Sequence, residues 1–171
     1  MDVFDAIEQR RSIKHYDPSF VMPPADERKI LEAALLSPTS SNIQNWRFVV
    51  VRDPALKKQL RAAAFNQAQV EEASLTLVLC ADLKAWDKQP ERYWRNAHEK
   101  ARGYLVPMIR DVYADKPELQ RDEAMRSVGI AAQTIMLSAK ALGYDTGALV
   151  GFNPEAAAKV INLPSDHVVG L

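Results

Sequence analysis

Leu75-Thr76-Leu77-Val78-Leu79-Cys80-Ala81 is the stretch on which the fold turns. It shows no alternation of polar and apolar positions, so a strand here has no face to give to water and must lie buried between helical layers. A partner strand is read at Trp46 to Val51, where aromatic and β-branched residues run together. Helical periods surround the two. Asp2 to Arg10 predicts a short helix with Asp2 as its N-cap, and Pro24 to Leu36 a second with Ile30, Leu31, Ala33, Ala34 and Leu35 on one broad face. Asp53-Pro54 starts a third through Leu56, Leu60 and Ala63. Ala124 to Leu142 is apolar around most of its circumference and is closed by Gly143, which marks it as the central helix. Glu91 to Tyr113 is helical but mixed, with a Pro107 that must bend or end it. A short strand at Asp145 to Leu149, a helix from Asn153-Pro154 to Ile161 and a strand beginning at Val168 complete the pattern.

The 171 residues are 47% hydrophobic, enough for one domain that removes roughly 70% of its unfolded surface from water. No repeat, low-complexity tract or composition shift divides the chain, so residues 1–171 are read as a single domain. Lys plus Arg and Asp plus Glu are 22 each, which gives no field for nucleic acid or an anionic membrane. The one cysteine, Cys80, sits inside an apolar run and reads as a buried, unreactive thiol. With no basic and apolar leader at Met1 to Asp5, these features predict a soluble, cytoplasmic protein.

Chemistry concentrates in two clusters. Arg10-Arg11-Ser12-Ile13-Lys14 combines guanidinium and ammonium groups with a hydroxyl, the set a phosphate prefers. Ser37-Pro38-Thr39-Ser40-Ser41-Asn42-Ile43-Gln44-Asn45-Trp46-Arg47-Phe48 offers neutral hydroxyls and amides, which suit a flavin edge or ribityl chain. Taken singly, the first is an ordinary basic helix end and the second an ordinary polar loop. Together they suggest a flavin mononucleotide (FMN) site.

Two further segments sharpen this: Phe65-Asn66-Gln67-Ala68-Gln69-Val70-Glu71-Glu72-Ala73 and Gly143-Tyr144-Asp145-Thr146-Gly147-Ala148-Leu149-Val150-Gly151-Phe152-Asn153. With all four motifs in order, the chain from Asp5 to Leu171 resembles the nitroreductase family of flavin-dependent oxidoreductases. The resemblance implies an α+β fold, a three-layer sandwich with a central, mostly antiparallel sheet flanked by helices, in an intertwined homodimer with two flavins at the interface. It assigns Arg10 and Ser12 to the flavin phosphate, Lys14 to the pyrimidine side of the ring, and Arg11 to a supporting side-chain or backbone role. Thr39, Ser40, Asn42 and Gln44 would face the flavin held mainly by the partner subunit, Asn66 and Gln69 the ring, and the backbone amides of Val150 and Gly151 flavin N5.

This sequence departs from the family pattern at named places. Asn45 stands where the family has Pro, Val150 where many members have Glu, and Gln69 where many carry a basic residue, which removes a charge that would stabilise reduced flavin. The family continues beyond Leu171, completing a strand and bringing a further basic group to the phosphate, so the C-terminal strand and tail are expected to be incomplete here.

His15, His98 and His167 are far apart in sequence with no cysteine or carboxylate at ligand spacing, and predict no metal site. The absence of Gly-x-Gly-x-x-Gly and Gly-Lys-Ser/Thr loops leaves any nicotinamide to bind on the flavin itself. Trp86, Tyr93, Trp94 and Tyr104 could line a channel, but aromatics in a helical pattern favour core or interface. The resemblance thus implies an FMN oxidoreductase in which NAD(P)H gives hydride to N5 and a nitroaromatic, quinone or related acceptor takes the electrons, with no side chain acting as nucleophile. A flavin-binding sensor or storage module without turnover is the alternative, and Gln69 together with the missing C-terminal basic group is its motive.

Overall fold

The computed structural model describes residues 1–171. Three antiparallel strands form the sheet in the order β1 (Trp46–Val51), β2 (Thr76–Asp82), β3 (His167–Val169). β1 pairs with β2 along its whole length, from Trp46 opposite Ala81 to Val51 opposite Thr76. Because side chains alternate across a strand, Leu79 and Ala81 enter one apolar layer with Trp46 and Val128, while Val78 and Cys80 enter the other with Val51 and Leu60. The run at residues 75–81 is therefore apolar on both faces for the expected reason. Cys80 is fully buried, and desolvation pushes its thiol up to about 11, so it stays a thiol.

Seven α-helices cover the sheet: α1 (Val3–Gln9), α2 (Pro24–Leu35), α3 (Pro54–Ala63), α4 (Gln69–Glu72), α5 (Glu99–Tyr113), α6 (Pro117–Ala141) and α7 (Pro154–Val160). Their caps follow the sequence. Asp2, Asp53 and Asn153 accept from the first-turn amides of α1, α3 and α7, and Asp2 and Asp5 form a reciprocal capping box. α6 begins seven residues before the expected Ala124, with Pro117 in its first turn. It is central, touching α1, α2, α5, β1 and β2. Ala124, Val128, Ala131, Ala132, Ile135 and Ala139 make its buried stripe, and the small side chains let α2 approach through Ile30 and Ala34. Of the broad face expected on α2, only Ile30 and Ala34 are buried, and Leu35 is exposed. α5 carries Pro107 inside without ending.

The expected strand at Asp145 to Leu149 is absent. Only Thr146 pairs, in a single parallel bridge to Ser12, because the neighbouring chain runs alongside for one residue pair. β3 is short as well. Gly170 and Leu171 both donate to the Leu79 carbonyl (2.8 and 3.2 Å), and Leu171 accepts from Leu79 (2.9 Å). Within residues 1–171 the Thr76–Val78 half of β2 pairs with β1, and a mostly apolar cavity of about 550 Å³ lies beside it between the two layers.

At the other end of β2 the buried Asp82, 2% exposed, anchors a charge network. It accepts from Arg47 (3.0 Å), from Lys88 (2.9 and 3.0 Å) and from the Lys84 amide (3.0 Å). Lys88 also reaches Asp166 (2.6 Å), which accepts from His167 Nδ1 (2.7 Å). The strand pairing thus brings Asp82 to the adjacent Asp166 and His167, and the Lys88 ammonium supplies the cation among them. Hydrogen bonds from Lys88 and then His167 hold the Asp166 carboxyl at about 2, against an ordinary 3.8. Burial tends to lower Lys88, but its bonds to Asp166 and Asp82 outweigh that and raise it. A carboxyl depressed on folding stabilises above its unfolded value and ceases to do so as pH falls through its folded value. Lys88→Met is expected to lower stability by about 1–2 kcal/mol at neutral pH, read from denaturant unfolding. The gap from wild type should narrow between pH 3.8 and about 2; a gap constant over that window would refute the Asp166 linkage.

Candidate functional site

α6 ends in a Schellman turn: Gly143, at φ +90°, donates to the Lys140 carbonyl (2.9 Å) and Tyr144 to that of Ala139 (2.9 Å). This reversal lays Asp145–Gly147 against the chain leaving α1. Ser12 bridges Thr146, and the Ile13 amide donates to the Thr146 carbonyl (3.0 Å). The approach is close enough that a Cβ on Gly147 would lie 2.5 Å from the Ile13 carbonyl oxygen. Arg10, at the C-cap of α1, and Ser12 and Lys14 beyond it have side chains with no hydrogen bond or ion pair in the protein. Arg11 differs, since its guanidinium turns back to the carbonyls of Glu8 (2.6 Å) and Arg10 (2.8 Å) and closes the helix end. The Thr146 hydroxyl is buried without a partner.

The third and fourth motifs meet through a residue that sequence reasoning had not singled out. Gln67 donates to the Gly151 carbonyl (2.8 Å) and accepts from Gln69 (3.0 Å), which ties the loop after α3 to the loop before α7. Asn66 is held by Arg61, whose Nε donates to its side-chain oxygen (2.9 Å), while Arg61 also pairs with Glu71 (3.1 Å). A guanidinium therefore lies near Asn66 even though Gln69 is neutral. Neither the Val150 nor the Gly151 amide donates to any protein acceptor, and both residues are exposed. Ser12 and Gln67 thus each touch the segment at residues 145–152, through Thr146 and Gly151, and their chain neighbours Arg10, Arg11, Lys14, Asn66 and Gln69 flank those two contacts.

Thr39, Ser40, Asn42 and Gln44 gather elsewhere. Thr39 accepts from the Gln44 amide (2.9 Å), Gln44 donates to the Asn42 side chain (3.0 Å), Asn42 donates to the Tyr93 carbonyl (3.1 Å), and the Tyr113 hydroxyl donates to Ser40 (2.8 Å). None of them bonds to the first group. Burial pushes the Tyr113 hydroxyl up, with the Ser40 bond opposing, so it remains a donor. Trp86, Tyr93 and Trp94 pack against Ile43, Ala85, Ile109 and Tyr113 as core, whereas Tyr104 is exposed. Ser41, Asn42, Gln44, Phe65 and Asn66 all have positive φ, five of the eight such non-glycine residues in the chain. That left-handed backbone is concentrated in two of the candidate loops, where stored strain of about 1 kcal/mol per residue is characteristic of sites shaped for a ligand.

The donors left over fit FMN. Arg10, Ser12 and Lys14 offer two cations and a hydroxyl without protein partners, which suits a phosphate, and the two free amides at Val150 and Gly151 suit a ring nitrogen. A buried, unpartnered Thr146 hydroxyl beside them calls for a polar partner.

A helix-covered antiparallel sheet with these motifs on its loops is the build of a flavin-type oxidoreductase. A model described as the nitroreductase family matches residues 7–171, and the chain belongs to that family. It is 51% identical over 170 residues to Protein DrgA of Synechocystis, covering 99% of this chain and 81% of that protein. It is 36% identical over 188 residues to a Thermus thermophilus protein named NADH dehydrogenase, covering 99% and 83%. An Exiguobacterium sibiricum nitroreductase structure in complex with FMN superimposes with a TM-score of 0.90 at 32% identity, covering 99% of this chain and 84% of that one.

Proposed function

We propose that this chain is an FMN-dependent oxidoreductase that uses NAD(P)H to reduce nitroaromatics, quinones or related acceptors. The observation that carries the reading is the set of donors that the protein leaves unused on the two segments joined by the Ser12–Thr146 bridge: the Arg10, Ser12 and Lys14 side chains and the Val150 and Gly151 amides. The family membership and a relative named NADH dehydrogenase support it. Bound FMN would supply the hydride-accepting and hydride-donating chemistry. Arg10 and Ser12 would hold its phosphate, Lys14 and Asn66 its pyrimidine edge, and the Val150 and Gly151 amides N5, with Arg61 fixing the Asn66 carboxamide. Gln69, turned onto Gln67, brings no charge to that edge.

A homodimer completes the reading. On α1, Val3, Phe4 and Ile7 are more than half exposed and only Ala6 is buried, while Leu35 and Leu36 at the end of α2 are also bare. Apolar groups on this scale need cover, and a second copy would also bring the Thr39–Gln44 loop toward a flavin held by its partner.

Anaerobic addition of NADH, then NADPH, to the FMN-supplemented protein should bleach the flavin bands, and a nitroaromatic or quinone should restore them. Bound flavin that neither nucleotide bleaches would leave a binding module without turnover. Arg10→Ala should weaken FMN binding about tenfold or more, since a charge-assisted bond to phosphate is lost, with little change in melting temperature. Unchanged affinity would refute the phosphate assignment.

A further inference from the structure

A second cavity, also about 550 Å³, opens between the Asn42–Trp46 loop and a 3-10 turn at Pro90–Trp94, and its character is opposite to that of the apolar one beside β2. Asn42, Gln44, Arg47, Arg92, Arg95 and Asn96 line it, with Trp46 and Tyr93 as walls and no carboxylate. Gln89, at φ 54°, swings the chain into the turn, and the buried Pro90 fixes it, so the two arginines that follow are presented from an ordered support.

The three guanidinium groups are not equivalent. Arg47 is committed to Asp82 and to the carbonyls of Gln44 and Trp46. Arg92 lies 4.7 Å from the centre of the Tyr93 ring and donates one nitrogen to its hydroxyl (2.6 Å), which positions the group and leaves its other donors open. Arg95 is exposed and makes no bond within the protein. Two guanidinium forks with free donors, joined by the Asn96 amide, form a site for a compact dianion; phosphate matches such forks bidentately.

The cavity shares Asn42 and Gln44 with the loop expected to face flavin, so its anion belongs to a molecule that reaches the reaction site. The two nicotinamide donors differ at one group of this kind. We propose that Arg92 and Arg95 bind the ribose 2′-phosphate of NADPH and so give this chain a preference for NADPH over NADH. The inference rests on the oxidoreductase reading and deepens it by naming the donor.

The test uses the FMN-saturated full chain, wild type and R92Q/R95Q. By calorimetry, wild type should bind 2′,5′-ADP about ten- to a hundredfold more tightly than 5′-AMP or inorganic phosphate, and the double variant should lose that difference. In steady state the variant's KM for NADPH should rise by a similar factor with kcat little changed, and its parameters for NADH should stay within about twofold. Equal losses with both donors would place the pyrophosphate or the acceptor in the cavity and overturn the proposal. So would equal binding of 2′,5′-ADP and 5′-AMP by wild type. Flavin that neither donor bleaches would defeat the oxidoreductase reading instead, while the calorimetric contrast still decides the cavity.

Discussion

Gly147→Ala is expected to lower FMN affinity by about tenfold or more and stability by about 1–3 kcal/mol. A methyl group at this position would sit 2.5 Å from the Ile13 carbonyl oxygen and 3.1 Å from the Tyr16 hydroxyl. The first neighbour is backbone, and it belongs to the residue whose amide donates to Thr146, so it cannot withdraw without breaking the one bridge between the Arg10–Lys14 segment and residues 145–152. Tyr16 is itself half-buried, with its hydroxyl raised by desolvation and then by Asp145, and has little room to yield. Fluorescence titration of FMN with a parallel thermal melt would check both effects. Wild-type affinity in a variant that still folds would show that the Ser12–Thr146 junction does not position the cofactor.

Ile30→Ala should be the most damaging truncation for the fold itself, lowering unfolding free energy by about 2–5 kcal/mol. Ile30 is 1% exposed and is among the largest fully buried side chains in the protein. It packs with Ala34, Ala124, Val128, Ala131 and Leu79, where α2 meets α6 over the sheet. Six of its ten fellow members of that core cluster are alanines, which have nothing to extend into the space it leaves. Urea unfolding gives the number directly, and a loss below about 1 kcal/mol would mean that α2 and α6 close up around the gap.

The contrast between Ile30 and Leu35 explains what sequence could and could not tell. Both lie on the apolar side of α2, and periodicity treats them alike, yet only one meets a partner. Burial depends on where neighbours lie, which a helical period does not encode. Local signals fared better: Trp46 to Val51 as a strand, Asp53-Pro54 and Asn153-Pro154 as helix starts, and Gly143 as a stop are each set by one or a few adjacent residues. The first two turns of α6 were missed because Glu118 to Glu123 is mostly polar, although Pro117 announced them.

The site divides in the same manner. The four motifs and their order are legible in the chain, because phosphate and ring recognition require particular residue types. The meeting of the first, third and fourth is not, since it runs through the Gln67–Gly151 bond and the Ser12–Thr146 bridge, which join residues far apart in the chain. Gln67 lay inside a quoted motif, but its role as a tie between two loops is visible only in three dimensions. The Trp86 to Asp115 stretch carried a helical period but no pattern that spoke of function. In space it presents Arg92 and Arg95 to a loop nearly fifty residues earlier in the chain.

The Lys88 ammonium has a consequence for how the sheet is fastened. One cation is shared between Asp82, the last residue of β2, and Asp166, just before β3. The two strands pair at only three positions, Cys80, Ala81 and Asp82, so this clasp stands beside a short ladder. Neutralising it would leave the buried Asp82 charge with one cation fewer, and the sheet would loosen from that corner first.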